Sequence, residues 1–174
     1  MAPNPTQQAL LDRLRAGNPR RHPGWKRTRY EFILEYGWWY EPSLLPKGVE
    51  GASPGECFKN AFDLALDDSL VYCEGVVLDT EASLPVHHAW VTDGTGHAID
   101  NTLEAPAAAY AGVPFLTGFV NLYHLRSEAI IGLLDDYLHD WPMLGELGER
   151  PKEWLDPRGN GVGPLMVERT WRER

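Results

Sequence analysis

Apolar residues recur with helical spacing in two parts of the first half of the chain. Residues 6–15 place Leu10, Leu11 and Leu14 on one side, which predicts a short helix. A second segment carries a longer stripe at i, i+3, i+4 and i+7, which predicts a buried helix. That stripe consists of Phe58, Ala61, Phe62 and Ala65.

The residues before the second stripe match the start signals of a helix. Ser53 is a good N-cap, Pro54 suits the first helical position, and Glu56 completes a capping box three residues after Ser53. The pattern therefore predicts that Cys57 lies in the first turn of this helix.

Alternating apolar and β-branched residues predict strands in the middle of the chain. Residues 86–92 and 97–102 flank the turn-forming sequence Asp93-Gly94-Thr95-Gly96, which is typical of a β-hairpin. Two further strands are predicted over residues 70–78 and 118–125. The four strands are expected to be mostly antiparallel.

The other segments give weaker patterns. Residues 30–40 are aromatic and apolar, and their pattern does not distinguish a helix from a strand. Residues 18–29 form a Pro/Arg-rich connector, and residues 104–114 form an Ala/Pro-rich loop. Ser127 is predicted to cap a helix that runs to about Asp140.

This order of elements predicts an α+β fold in which the helix bearing Cys57 packs on an antiparallel sheet. A chain of 174 residues suits one domain over 1–174 and is long enough to bury a core. We expect the core at about 53–140, a basic N-terminal arm at about 1–29, and a surface-wrapping C-terminal tail at about 142–174.

The charge of the chain is unevenly distributed. The net charge is −9, but residues 1–30 contain seven Lys/Arg and one Asp, so the remainder carries −15. This negative net charge argues against nucleic-acid binding as the main function of the protein. The basic residues 20–29 would suit a phosphate backbone or an acidic partner. We favour a solvated arm, or one that pairs with the acidic body of the same protein.

The sequence contains no apolar run of about 18 residues and no signal-peptide pattern, so we expect a cytoplasmic protein without a membrane span. Its two cysteines, Cys57 and Cys73, do not suggest a disulfide framework. Cys73 alternates with Val71 and Val77 and is expected to be a core residue.

Three residues supply the parts of a cysteine nucleophile, its base and the group that orients the base: Cys57, His88 and Asp100. At the start of a helix, unpaired N–H groups and the positive end of the dipole favour a thiolate at Cys57. Glu56 works against that thiolate unless its carboxylate turns back to cap the helix. The alternative is that Cys57 is a small apolar core residue.

The predicted hairpin selects one of two neighbouring histidines. A three-residue loop over 94–96 places Asp93 opposite His97 and Trp90 opposite Asp100. Because side chains alternate, His88, Trp90 and Asp100 then share one face, and His88 and Asp100 become diagonal neighbours. His87 points to the opposite face. A loop of two or four residues would place Asp100 on the side of His87 instead.

Four other residues are candidates for contacting the substrate or a developing oxyanion: Phe58, Asn60, Trp90 and Trp38. For the tryptophans, packing in the core is the alternative. A metal site formed by His87, His97 and Asp93 is conceivable but matches no ligand motif. The sequence therefore predicts neither a metal nor a cofactor.

Over about residues 53–120 the chain resembles the papain-like and transglutaminase-like superfamily of cysteine enzymes, including uncharacterised bacterial and phage members. The resemblance lies in Gly55-Glu56-Cys57-Phe58-Lys59-Asn60-Ala61, Tyr72-Cys73-Glu74-Gly75, His88-Ala89-Trp90, Asp100-Asn101-Thr102 and Tyr110-Ala111-Gly112. Asn101 stands where this group often has proline.

The resemblance implies a papain-like fold and a catalytic triad of Cys57, His88 and Asp100. It implies a hydrolase or acyltransferase that cleaves an amide or ester bond through a thioester. The substrate would be a peptide, a protein or a small molecule with an amide. The alternative is an inactive binding or adaptor protein on the same fold.

Overall fold

The computed structural model describes residues 2–17, 22–79, 84–127 and 129–166. Among them, five α-helices and six strands follow one another along the chain. In chain order these elements are α1 (Pro5–Ala16), α2 (Arg29–Tyr36), β1 (Trp38–Pro42), α3 (Cys57–Leu64), β2 (Val71–Leu78), β3 (Pro85–Thr92), β4 (His97–Ala98), β5 (Ala109–Phe115), α4 (Thr117–Ser127), α5 (Pro151–Trp154) and β6 (Gly163–Pro164). The protein is therefore α+β, as the sequence predicts.

A curled, mostly antiparallel sheet organises the molecule. Its strands follow the order β3-β2-β5-β1-β4, and β6 pairs with β1. The one parallel pairing among the described strands is the short contact of β4 with β1. A bridge between Val91 of β3 and Ile99, just after β4, links the two ends of this order. The sheet consequently has an inner and an outer face.

The two faces of the sheet support two hydrophobic clusters. The larger cluster includes Leu10 of α1, Phe32 of α2, Ala61 of α3, Val91 of β3 and Trp154 of α5. The smaller one fills the concave side of the sheet with Trp38, Tyr40, Cys73, Val77, Trp90, Ala98, Ala107 and Tyr110. Cys73 is fully buried in this smaller cluster, which confirms its expected place in the core.

The N-terminal part confirms one helix and resolves an open choice. Residues Pro5–Ala16 form the predicted helix, capped by reciprocal hydrogen bonds between Asn4 and Gln7. The ambiguous segment 30–40 contains both structures, a helix to Tyr36 and a strand from Trp38. They meet at Gly37, where a Cβ would lie 2.3 Å from the Ile33 carbonyl oxygen.

The start of α3 differs in detail from the prediction. The helix begins at Cys57 with Glu56 as its N-cap, and no side chain caps it. Ser53 lies too early, because Gly55 adopts a positive φ of 83° and breaks the helical path. The predicted capping box is therefore wrong, whereas the position of Cys57 in the first turn is confirmed.

Two segments adopt a structure that differs from the predicted one. Residues 109–115 form the central strand β5 instead of a loop, since both neighbours bury this Ala-rich sequence completely. Residues 117–127 form helix α4 instead of a strand. The buried residues of α4 recur with helical spacing, namely Val120, His124 and Ser127.

The helix predicted from Ser127 to about Asp140 is absent from the described residues. Instead, backbone N–H groups of Leu133 and Leu134 donate to the carboxylate of Glu74, each at 2.7 Å. These bonds replace helical ones and hold the segment against β2. The third predicted strand is shorter than expected as well, because β4 ends at Ala98.

The arm and the tail contribute to the folded body. Arg27 pairs with Glu149, and Arg29 pairs with Asp135, so these basic residues meet the acidic body as expected. In the tail, Trp154 is fully buried and β6 extends the sheet, unlike a segment that only wraps the surface. No helix among the described residues is long and apolar enough to cross a membrane.

Candidate active site

The hairpin has the register that the sequence predicts. Val91 pairs with Ile99 on either side of the turn, which corresponds to a three-residue loop. Gly94 and Gly96 adopt positive φ values of 82° and 91°. This register places His88 and Asp100 on the same face, so the structural prerequisite for the predicted pair is met.

His88 and Asp100 form a buried ion pair. The Nε2 atom of His88 lies 2.8 Å from Oδ2 of Asp100. The two residues are 4% and 7% exposed. Because the carboxylate can only accept, the Nε2 atom carries the proton and the Nδ1 atom of the ring remains for another partner.

Further donors fix the Asp100 carboxylate. The Tyr110 hydroxyl donates to Oδ2 at 3.0 Å, and the backbone N–H of Thr102 donates to Oδ1 at 3.0 Å. Burial raises the pKa of Asp100, but the hydrogen bonds from His88, Thr102 and Tyr110 outweigh it and lower the pKa. Asp100 is thus held as an oriented anion.

Cys57 is a further group that influences His88. It is the first residue of α3 and is 8% exposed. Burial lowers the pKa of His88, but hydrogen bonds with Asp100 and Cys57 outweigh this effect and raise the pKa to about 9. The raised pKa favours the imidazolium form of His88 beside the Asp100 carboxylate.

Trp90 forms the inner wall beside this pair. Its ring lies against Gly112, where a Cβ would come within 2.4 Å of the indole. Gly75 faces Gly112 across β2 and β5, and a Cβ there would lie 2.2 Å from the Ala111 carbonyl oxygen. The indole N–H of Trp90 is buried and has no hydrogen-bond partner among the described residues.

The other substrate or oxyanion candidates have different surroundings. Trp38 packs in the inner cluster with Trp90 and is 9% exposed. The amide nitrogen of Asn60 donates to Ser53 O at 2.8 Å and to Thr102 Oγ1 at 2.9 Å. Both of its N–H groups are therefore used: one ties the loop after Asp100 to α3, and the other holds the segment before α3 at Ser53.

Phe58 turns away from His88 toward its neighbour. The Phe58 ring lies 5.1 Å from the ring of His87, centroid to centroid. Phe58 also borders Gly132, where a Cβ would lie 2.8 Å from its ring. Phe58 therefore packs beneath the segment that Glu74 holds.

His87 belongs to a second buried cluster that the sequence did not reveal. Its Nε2 atom lies 2.9 Å from Oε1 of the fully buried Glu74, and its Nδ1 atom lies 3.6 Å from Oδ2 of Asp135. Burial lowers the pKa of His87, but Asp135 and Glu74 outweigh it and raise the pKa. The available signal was an acidic residue within the apolar strand sequence Val71–Leu78.

The possible metal ligands do not converge. His97 is exposed and its Nδ1 atom lies 2.9 Å from Thr95 Oγ1, whereas His87 contacts Glu74 and Asp135. Among the described residues, no group of three or more His, Cys, Asp or Glu side chains has the arrangement of a metal site.

Tyr110 is the residue near Asp100 that the sequence analysis did not assign. Its segment was noted only as part of a resemblance and was predicted to be a loop. Once β5 is a buried strand, the phenol has to satisfy its hydroxyl, and Asp100 is the acceptor.

No protein-family model, no curated protein and no solved structure matches this chain. Its site is consequently interpreted from its own geometry and from the residue patterns described above.

Proposed function

We propose that this protein is a cysteine-dependent hydrolase or acyltransferase with a papain-like or transglutaminase-like core. The observation that carries the proposal is the buried pair of His88 and Asp100, with Cys57 of α3 among the groups that raise the pKa of His88. The packing of the helix bearing Cys57 against β2 and β3 of an antiparallel sheet supports the same assignment.

The first step is attack on an amide or ester. The proton of the Cys57 thiol is held on Nδ1 of His88, and the thiolate of this ion pair adds to the carbonyl carbon of the substrate. The carbonyl oxygen becomes an oxyanion. Asp100 keeps the proton on Nε2 and stabilises the imidazolium that results.

Collapse of this intermediate gives a thioester. The bond from carbon to the leaving nitrogen or oxygen breaks, and the leaving group takes the Nδ1 proton of His88. Water or an amine then attacks the thioester while His88 accepts its proton, and the Cys57 sulfur leaves and is reprotonated. Water completes a hydrolase and an amine completes a transferase.

The start of α3 offers donors for the oxyanion. The first N–H groups of a helix have no partner within the helix, and no side chain caps them here. The helix dipole adds positive potential at the same place. Trp90 is a further candidate, because its buried indole N–H is unused among the described residues.

The low exposure of Cys57 supports a second candidate, an inactive binding or adaptor protein on the same core. At 8% exposure, the thiol needs a local movement to admit a substrate. A polypeptide, a protein or a small amide-bearing molecule reaches the thiol only if the loops around Cys57 open.

The two candidates are separated by trapping. The protein is incubated with lysate peptides and with cell-wall fragments, and the mass of the Cys57 peptide is measured. If the protein is an enzyme, we expect an acyl adduct on Cys57 that hydroxylamine removes, as is typical of a thioester.

Two variants control this experiment. Cys57→Ser should lose the adduct, whereas Cys73→Ser should keep it, since Cys73 is fully buried and its raised pKa follows from burial. Acylation that persists in the Cys57 variant, or its absence with every acyl donor, would favour the binding protein.

A further inference from the structure

A cavity of about 230 Å³ opens beside α4, on the side of the molecule away from the inner cluster. One wall is a stripe of α4 that contains Phe119, Leu122 and Tyr123, and the opposite wall includes Pro142 and Leu147. These apolar side chains are partly exposed, so the stripe is incompletely covered by the protein. The cavity is apolar along most of its length.

A buried carboxylate organises the polar end of the cavity. Asp136 is fully buried and accepts the Tyr123 hydroxyl at 2.5 Å. It also accepts the backbone N–H of His139 at 3.1 Å, and its Oδ2 atom lies 2.8 Å from His139 Nδ1. The Asp136 carboxylate is thus hydrogen-bonded by Tyr123 and His139.

Arg126 adds a cation to the lining of the cavity. It lines the cavity from α4 and is exposed. Arg27, Arg29 and Lys26 pair with carboxylates, but Arg126 has no ion-pair partner in the part of the chain that the structure describes. A guanidinium at the edge of an apolar cavity is complementary to a carboxylate.

This cavity is separate from the candidate active site. The opposite face of α4 packs against α3, where the ring of His124 lies 4.8 Å from that of Phe62. Cys57, His88 and Asp100 do not line the cavity. Occupancy of the cavity is therefore expected to be independent of the Cys57 thiol.

From this arrangement we infer that the cavity binds a small carboxylic acid with an apolar body, its carboxylate on Arg126 and its chain along Phe119 and Leu122. The volume sets the size, because a cavity of about 150 Å³ accommodates benzene. A body of about eight carbons fits the larger volume found here.

Titration calorimetry with octanoate on the full chain tests the assignment. We expect saturable one-to-one binding. Octanamide has the same body without the charge and should bind at least tenfold more weakly. Arg126→Gln should weaken octanoate binding at least tenfold and leave octanamide unchanged. Lys47→Gln removes an exposed cation outside the cavity and should change neither affinity.

Absence of saturable binding of octanoate would overturn the site. Equal affinity for octanoate and octanamide, or an Arg126→Gln variant that still binds octanoate normally, would overturn the carboxylate assignment. Since Arg126 is exposed and unpaired among the described residues, its substitution is not expected to impair folding.

Discussion

Two consecutive histidines of β3 occupy opposite faces of the sheet and have closely similar electrostatic surroundings. His88 lies 2.8 Å from Asp100 on the inner side, and His87 lies 2.9 Å from Glu74 on the outer side. Carboxylates raise the pKa of both histidines against the opposing effect of burial. A buried pair of histidine and carboxylate is therefore not, by itself, evidence of catalysis.

The difference lies in what α3 presents to each ring. Cys57 is among the groups that raise the pKa of His88, whereas the next residue, Phe58, packs its ring on His87. One pair thus meets a nucleophile, and the other meets an apolar side chain and a segment of backbone held by Glu74. The neighbouring group, more than the pKa, therefore separates a candidate catalytic base from a structural histidine.

The largest expected effect separates the two histidines in acylation of Cys57. With p-nitrophenyl acetate as acyl donor, His88→Ala should slow acylation about 10²–10⁴-fold, because the general base is lost. His87→Asn should change it less than about tenfold. Stopped-flow release of nitrophenolate measures both rates, with circular dichroism as the check that each variant is folded. Similar losses in both variants would contradict the distinction.

The buried pair of His87 and Glu74 on the outer face should contribute more to the free energy of unfolding than a surface pair. Glu74→Gln removes a charge that His87 and the N–H groups of Leu133 and Leu134 all contact. Breaking such a buried network is expected to lower the free energy of unfolding by about 3–5 kcal/mol.

Urea denaturation measures this loss. Glu153→Gln is the matched control, since Glu153 is half exposed and pairs with Arg150 at the surface, where a pair contributes about 1 kcal/mol or less. If the two variants are equally stable, the buried cluster does not anchor the segment.

The buried pair of His88 and Asp100 on the inner face should make the free energy of unfolding depend on pH. The pKa of His88 rises from 6.5 to about 9 on folding, so the folded state binds this proton more tightly. The stabilisation is fully present below pH 6.5 and is lost as the pH rises through about 9. Its size is on the order of 3 kcal/mol. Urea denaturation at several pH values should show that decline in the wild type and a smaller one in His88→Gln.

A smaller effect is expected from the hydroxyl that orients Asp100. Tyr110→Phe removes its bond to Oδ2 and keeps the ring that packs against Trp90. Asp100 should then take up a proton at higher pH, since the hydroxyl helps to lower its pKa. We expect alkylation of Cys57 at pH 6 to slow about three- to tenfold. In a plot of the alkylation rate against pH, the acid limb should move to higher pH.

Tyr123→Phe is the control for that variant. Its hydroxyl binds Asp136, outside the candidate active site, so the variant should leave the profile unchanged. If the acid limb of the pH profile is unchanged in Tyr110→Phe, Tyr110 contributes packing alone and does not orient Asp100.

Much of the inner site was predictable because hairpin parity is a local property. Two glycines around Thr95 define the loop length, and the loop length alone decides whether Asp100 joins His88 or His87. The position of Cys57 in a helical first turn was predictable for a similar reason, although Gly55 displaces the start from the predicted cap.

The outer cluster was not predictable because it depends on contacts between distant segments. Glu74, Arg29 and Asp135 are far apart in sequence and meet only in the folded chain. Similarly, Gly112 and Pro114 in β5 are typical of a loop, and tertiary burial between β1 and β2 overrides that tendency. In α4, the aromatic and β-branched residues favour a strand locally. The packing of α4 against α3 overrides that tendency.

The pH dependence of Cys57 alkylation tests the central claim most directly. Iodoacetamide labelling is followed by mass of the Cys57 peptide from pH 4 to 10 in the wild type and in His88→Ala. We expect Cys57 of the wild type to react well below pH 8 and to lose that reactivity in His88→Ala. A wild-type profile that rises only near pH 8.5 and is unchanged by His88→Ala would contradict the claim.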